Sequence, residues 1–530
     1  MSAKQVLSTA DYAIILIFLL LSALVGIGAK LTGGKQKTTK EYFLADKKAP
    51  IILIISSTTA TLLSAISMLG SPAEVYRYGI HVAVLAFGIF VGIFLASIIF
   101  TPAYFELKVD SIYEILYSAT VLYAPVLALN AVTNIPLEMG IIFVDLYARS
   151  IVWCAIYFAK GGLKAVLWTD LFQTVLMFLC LFIVFVVGIA EVGGIGKVFR
   201  IAAAGNRLQY FDMQFDFTSR ATFWNMWSRG FILGIYHYGA NQVEVQRSLC
   251  MSDCKKAQRT LRWSSITIAI VYNMTCYAGI VLYAVFYLCD PIKFSEHTGL
   301  TKYDQLLPYF IITRLKSFPG LTGLCIAGIF SGSLSSISSA INSMSTVSVI
   351  DFVMPSFPSQ LSQRMLVLIA KVLSLVYGIA IIGITFTISN IDSIFQAGTA
   401  FMSLAEGPVL TVFLIGVLTR KVSDKVDSFI QEKRDKILIR EHARKFLGDY
   451  SRWDTFVLYK IAAGWIPGIG TFIGLVVLLT TSLLIDRNRN IITSDSKCLS
   501  PVAYWWMSKS SQIKQSKSNT ICTMNQEDEL

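Results

Sequence analysis

Apolar runs of about 18–25 residues recur along the chain, divided by shorter polar or charged stretches, and at 1.5 Å per residue each run reaches across a hydrocarbon core of about 30 Å. The pattern predicts helical spans over 11–31, 50–70, 80–103, 115–134, 137–158, 165–190, 223–240, 263–288, 320–349, 365–389, 394–418 and 458–485. Together they make one all-α polytopic membrane domain over residues 1–485, followed by a polar tail over 486–530. The run from Asp11 to Leu31 is too long for a signal-peptide core and has no small-residue cleavage site followed by a soluble chain, so it is expected to remain as a signal anchor.

Two runs depart from plain apolarity. Between Gly328 and Ser343 a dense row of hydroxyls lies inside a segment otherwise apolar enough to span a bilayer. Residues three and four apart share a helix face, so Ser335, Ser336 and Ser339 bring oxygens to one neighbourhood while Gly332 leaves room for backbone. Between Ser56 and Pro72, hydroxyls and alanines crowd mid-span and Gly70-Ser71-Pro72 closes it. Close helix packing or back-bonding to helix carbonyls explains one such run alone. Two of them suit a cation held by neutral oxygens between two helices, one broken so that its carbonyls can face an ion.

Composition supports the membrane reading. With 55% hydrophobic and 15% charged residues and a mean hydropathy of +0.63, 530 residues carry too few polar groups to solvate a globule of that size. The net charge of +12 reads as topology. Lys35, Lys37, Lys40, Lys47 and Lys48 place the loop 31–48 in the cytoplasm and the N-terminus outside. Alternation then puts 243–262 and 419–456, with their arginines and lysines, inside, and 191–222 and 289–319 outside. No basic groove interleaved with aromatics speaks for nucleic acid. Histidines 81, 237, 297 and 442 lack ligand spacing, and the cysteines form neither a disulfide framework nor a metal motif. Gly193-Gly194-Ile195-Gly196-Lys197 follows a span and lacks the Ser or Thr of a phosphate loop, so it reads as loop punctuation. No paired carboxylates or nucleophile elbow stand at a helix end, so enzyme chemistry is not expected, and no cofactor beyond a coupling ion.

Four segments in order, Leu69 to Gly79 (LGSPAEVYRYG), Gly161 to Asp170 (GGLKAVLWTD), Asn241 to Arg247 (NQVEVQR) and Phe330 to Ser336 (FSGSLSS), resemble the hallmarks of the sodium/solute symporter family. The first, with Tyr117 to Thr133, is similar to the multivitamin, monocarboxylate and iodide branch. The resemblance covers about 10–420 and 458–485. It implies a LeuT-like fold of inverted five-helix repeats with about twelve to thirteen spans, 50–70 being the first core helix and 320–349 the eighth. By position it implies a sodium site on the carbonyls of Ala60, Leu63 and Gly332 and the hydroxyls of Ser335 and Ser336. Ser338, Ser339 and Asp170 match positions linked in relatives to a second sodium site or the ion's inward exit; a dipole-stabilised carboxylate near the cytoplasm is the alternative for Asp170. Ser67, one turn beyond Leu63, is expected to line the substrate pocket. The implied activity is sodium-coupled symport of a small organic anion, such as a monocarboxylate, biotin or pantothenate, or of iodide, across the plasma membrane; a channel or a non-transporting partner subunit is the alternative.

Two stretches depart from the family's pattern. After Glu114 a cytoplasmic turn and the beginning of a span are shortened, and Asp145 and Arg149 stand where relatives are apolar. Beyond Arg420, where relatives place another span, 421–456 is charged and reads as a cytoplasmic loop or a surface helix on the inner leaflet.

Overall fold

The computed structural model describes residues 7–32, 49–106, 162–354, 362–388, 394–418 and 465–485, with Met139 and Phe357. The expected spans 115–134 and 137–158, the Asp145–Arg149 pair, the charged stretch 421–456 and the tail 486–530 lie outside the described residues. Among those described, every regular element is a helix.

The helices that matter below are α1 (Thr9–Thr32), α2 (Ile51–Leu62), α3 (Ser71–Tyr78), α4 (Leu85–Ile99), α5 (Gly162–Val192), α6 (Phe223–Gly239), α7 (Gln242–Leu249), α8 (Cys254–Val285), α9 (Leu321–Val347), α10 (Gln363–Ile388), α11 (Ile394–Leu418) and α12 (Ile466–Ile485). Among the described residues, five helical segments are long and apolar enough to cross a bilayer, or six if α2 and α3 count as one bent span. The bend is 56°. The α-helix ends at Leu62, residues 63–64 are irregular, and a π-helical turn over Ile66–Gly70 leads into α3. The expected span 50–70 is thus broken after Leu62, as its crowd of small and hydroxyl residues suggests, but it does not close at Gly70-Ser71-Pro72: the chain stays helical to Tyr78. The expected span 263–288 begins earlier, at Cys254, because Asp253 caps it by accepting the Lys256 N–H at 2.8 Å.

Apolar faces sort the helices by depth. Leu16, Ile17 and Leu20 on α1, Phe182 and Val186 on α5, and Leu368, Val372, Val376 and Ile379 on α10 are exposed, as suits residues facing lipid chains. By contrast α9 is buried almost throughout, with Ile326, Ile329, Leu334 and Ile337 packed in one core with Leu63, Ala65 and Met177. A second core joins α4, α6 and α8 through Ile89, Ile93, Ile235 and Ile268.

Glycines set the closest helix approaches. Gly88 and Gly92 on α4 face Gly230 and Gly234 on α6. A Cβ on Gly88 would lie 2.2 Å from the Trp227 carbonyl oxygen, and one on Gly230 2.1 Å from that of Leu85. Two interlocked Gly-x3-Gly ridges therefore hold these backbones together, as packing between membrane helices favours. Gly193 and Gly194, both at positive φ, turn the chain out of α5, but the rest of the motif read as loop punctuation is helical: Ile195, Gly196 and Lys197 open a helix that runs over Ile195–Ala204.

Candidate functional site

The break in α2 faces the hydroxyl row of α9. Ser336 Oγ lies 3.1 Å from both the Thr61 carbonyl and the Gly332 carbonyl of its own helix, either of which can accept its hydrogen. A Cβ on Gly332 would come within 3.1 Å of the Leu63 carbonyl oxygen and 3.3 Å of the Ala65 nitrogen. A Cβ there would have to push these backbone atoms by a few tenths of an ångström, so glycine eases the close approach of α9 to the broken backbone. Ala60, Leu63, Ser335 and Ser336 are all buried. The structure thus brings Leu63, Gly332 and Ser336 together beside the break, with Ala60 one turn back.

Ser335 gives its hydrogen to a charged cluster. Its hydroxyl donates to Asp170 Oδ1 at 2.6 Å, and Ser57 Oγ donates to Asp170 Oδ2. Arg247 completes the cluster: its Nη2 donates to Asp170 Oδ2 at 3.2 Å and to Ser339 Oγ at 2.7 Å, while Nη1 donates to Glu244 Oε1 at 2.5 Å. Asp170 and Arg247 are 0% exposed. Asp170 is therefore no solvated carboxylate at a helix end. It is the hub joining α2, α5, α7 and α9. Ser338 stays apart from this hub, its hydroxyl donating back to the Ser335 carbonyl at 3.1 Å.

The hydroxyl row thus divides by task. Ser331, Ser338, Ser345 and Thr346 satisfy themselves on carbonyls of their own helix. Ser335, Ser336 and Ser339 reach other helices.

A cavity of about 60 Å³ opens on the other side of the break. Ser64 and Ser67 reach it from the broken segment, Arg229 and His237 from α6, Tyr272 from α8 and Met402 from α11. Ser67 lines this cavity with its hydroxyl donating to the Leu62 carbonyl at 3.1 Å.

Sequence reasoning missed three participants. Arg247 read as one of several cytoplasmic cations, yet it is buried against α5 and α9. Arg229 and Glu406 also escaped notice, although an ionisable residue within a candidate span is itself a signal of function.

The sodium:solute symporter family model matches residues 42–118 and 114–425. The division at 114–118 coincides with the shortening read after Glu114. The chain is 33% identical over 432 residues to the sodium-dependent multivitamin transporter of Oryctolagus cuniculus, covering 77% of this chain and 66% of that protein. It is 32% identical over 430 residues to sodium-coupled monocarboxylate transporter 1 of Homo sapiens, covering 77% of this chain and 69% of that one. The chain spans about two thirds of the length of these relatives. The solved structure of a Na+-coupled sialic acid symporter, substrate-bound and outward-open, superposes with a TM-score of 0.74 at 22% identity, over 90% of this chain and 98% of the other. At that identity the likeness concerns the fold, and it accords with the symporter architecture expected from the sequence.

Proposed function

The chain belongs to the sodium:solute symporter family, and from that premise we propose that it carries a small organic anion across the plasma membrane together with sodium, by alternating access. The observation that carries the reading is the apposition of the α2 break to Gly332 and Ser336, next to a cavity that Ser67 lines. Sodium sits on the carbonyls of Ala60, Leu63 and Gly332 and the hydroxyls of Ser335 and Ser336. Both hydroxyls have given their hydrogens away, Ser335 to Asp170 and Ser336 to Thr61 or Gly332, so their lone pairs are left for a cation.

Coupling follows from differential affinity. An ion that ties the broken α2 to α9 in one state and not in the other shifts the equilibrium by that difference. Each charge moved down the potential adds about 2.3 kcal/mol per 100 mV. For Asp170 and Ser339 the inward exit path is favoured over a second sodium site, because Arg247 already supplies their cation. The relatives' names include vitamins and monocarboxylates as cargo; the small cavity supports solutes of monocarboxylate size.

The test is uptake in sodium against choline medium across biotin, pantothenate, lactate, butyrate and iodide. Saturable, sodium-dependent uptake of an anion is expected; uptake indifferent to sodium overturns the reading in favour of a channel.

A further inference from the structure

The stretch before α6 alternates apolar and polar residues with a period of two: Phe211, Asp212, Met213, Gln214, Phe215, Asp216, Phe217. Such alternation ordinarily marks a strand with one face on a core. Here the backbone forms neither helix nor strand, and Phe211, Met213, Phe215 and Phe217 are 59%, 56%, 63% and 44% exposed. With the exposed Trp224 beside them, they leave an apolar surface on the order of a few hundred Å², the class that marks an interaction surface. The stretch is not free to fold its rings away. Upstream, Arg207 donates from Nε to the Tyr76 carbonyl at 3.0 Å and accepts the Ile80 N–H on its own carbonyl at 2.9 Å. Downstream, Arg220 is bound to Glu74.

Its neighbours say what covers it. The rings of Phe215 and Phe217 stand 5.2 and 5.0 Å from that of Trp465, whose carbonyl accepts the Ile469 N–H at 2.9 Å and so closes the first turn of α12. Phe472 and Val476 lie seven and eleven residues beyond Trp465, on one helix face. Both are exposed, as suits an apolar stripe that lipid chains cover. The aromatic patch continues this stripe past the helix end, to the depth where aromatic rings collect at the membrane–water boundary.

Backbone and charge agree with that depth. An irregular segment near lipid needs partners for its peptide groups. The Asp212, Met213 and Asp216 carbonyls accept from the Phe223 N–H at 2.8 Å, the Trp224 indole at 3.3 Å and the Trp465 indole at 3.2 Å. Between Leu208 and Ser219 the only charged residues are Asp212 and Asp216. Each carboxylate already holds a nearby N–H, of Gln214 at 3.1 Å and of Thr218 at 2.8 Å.

We infer that residues 211–217 are an interfacial anchor, seating Phe211, Met213, Phe215 and Phe217 between the phospholipid headgroups and the first acyl carbons while Gln214 faces water. Apolar area drives this seating, so a zwitterionic phospholipid suffices. The inference rests on the membrane character of the chain and is independent of the solute transported.

The experiment places the purified full chain in phosphatidylcholine nanodiscs holding one copy each and introduces a fluorescent side chain by Met213→dansylalanine, Gln214→dansylalanine or Phe215→dansylalanine. Brominated phosphatidylcholine quenches from the lipid and iodide from the water. The ratio of lipid to iodide quenching is expected to be about fivefold or more higher at 213 and 215 than at 214, because aromatic depth sets the first and water access the second. Equal iodide quenching at all three positions overturns the inference, since the face then lies in water. Quenching by neither agent at 213 and 215 also overturns it, because another part of this chain then covers the patch. Iodide access at 213 and 215 in one-copy discs that disappears in two-copy discs makes the patch a contact between copies instead. If Phe215→dansylalanine yields no folded protein, Phe211→dansylalanine takes its place. No readout depends on transport, so failure of the symport reading leaves this result intact.

Discussion

Arg247 holds two carboxylates from one buried guanidinium, and the arithmetic of buried charge says what its loss does. Such a network adds little net stability while intact, but removing one partner strands the others and costs about 3–5 kcal/mol. Arg247→Ala should therefore sharply lower the temperature at which the detergent-solubilised protein aggregates. Adding Glu244→Gln should recover part of the loss, because one stranded anion disappears; an additive double mutant would show that the two side chains do not act as a unit. Ser335 and Ser336 obey a different logic. Serine to alanine barely changes volume, so the packing of α9 survives while two cation-facing oxygens go, although Ser335→Ala also takes one hydrogen bond from the buried Asp170. Compared at equal surface amount, the double variant Ser335→Ala/Ser336→Ala should raise the sodium half-saturation at least tenfold. Unaltered sodium activation would return these hydroxyls to helix packing.

Among elements, α9 depends on a partner far away in sequence. Asp11 at the beginning of α1 accepts the N–H groups of Gly320 and Gly323 at 2.9 Å each, so α1 caps the buried helix that carries the hydroxyl row. Replacing a capping carboxylate by alanine costs about 1–2 kcal/mol, and Asp11→Ala should lower thermal stability accordingly, with Asp11→Asn milder. The crossing of α4 and α6 is less forgiving. A methyl group on Gly230 would meet the Leu85 carbonyl at 2.1 Å, so Gly230→Ala must push the helices apart and distort the wall that carries Arg229. Overpacking of this kind costs about 1–3 kcal/mol or more; surface expression measured against Ala86→Gly, which only removes bulk, would check it.

These elements also show what was legible in the chain. The hydroxyl row and the broken span announce themselves, because polar residues inside an apolar run violate the dominant period. Single charges do not. Arg229 and Glu406 each sit in a window whose mean hydropathy hides them, and their burial is a product of helix packing that no local pattern encodes. Arg247 was visible only as loop charge, since burial against α5 and α9 is a tertiary fact. The role of Asp11 was equally hidden, for it looks like the polar edge of a span. The Gly-x3-Gly spacings on α4 and α6 were readable, and they are the signal that would have placed Arg229 against the cavity.

For the whole molecule, orientation in the bilayer is the property that the cations decide. Lys35, Lys37, Lys40, Lys47 and Lys48 follow α1, and positive residues near span ends stay cytoplasmic. On this rule the N-terminus and the stretch 191–222 are expected outside. In that stretch Arg220 reaches Glu74 through two hydrogen bonds of 2.7 and 2.9 Å and lies 4.1 Å over the Tyr78 ring, closing the end of α3 over the bundle. The opposite end carries α7 and the buried Arg247 hub. If sodium leaves past Asp170, that hub must lie towards the cytoplasm, so topology and ion exit stand or fall together. With the native cysteines replaced, since Cys289 is exposed in the stretch expected outside, single cysteines introduced at Lys37, Thr218 and Lys256 should separate cleanly under a membrane-impermeant thiol reagent applied to intact cells. Thr218 should label, while Lys37 and Lys256 should label only after permeabilisation. Labelling of Lys37 from outside would invert the molecule and place the Asp170–Arg247 hub at the extracellular end, and the proposed direction of sodium release would fall with it.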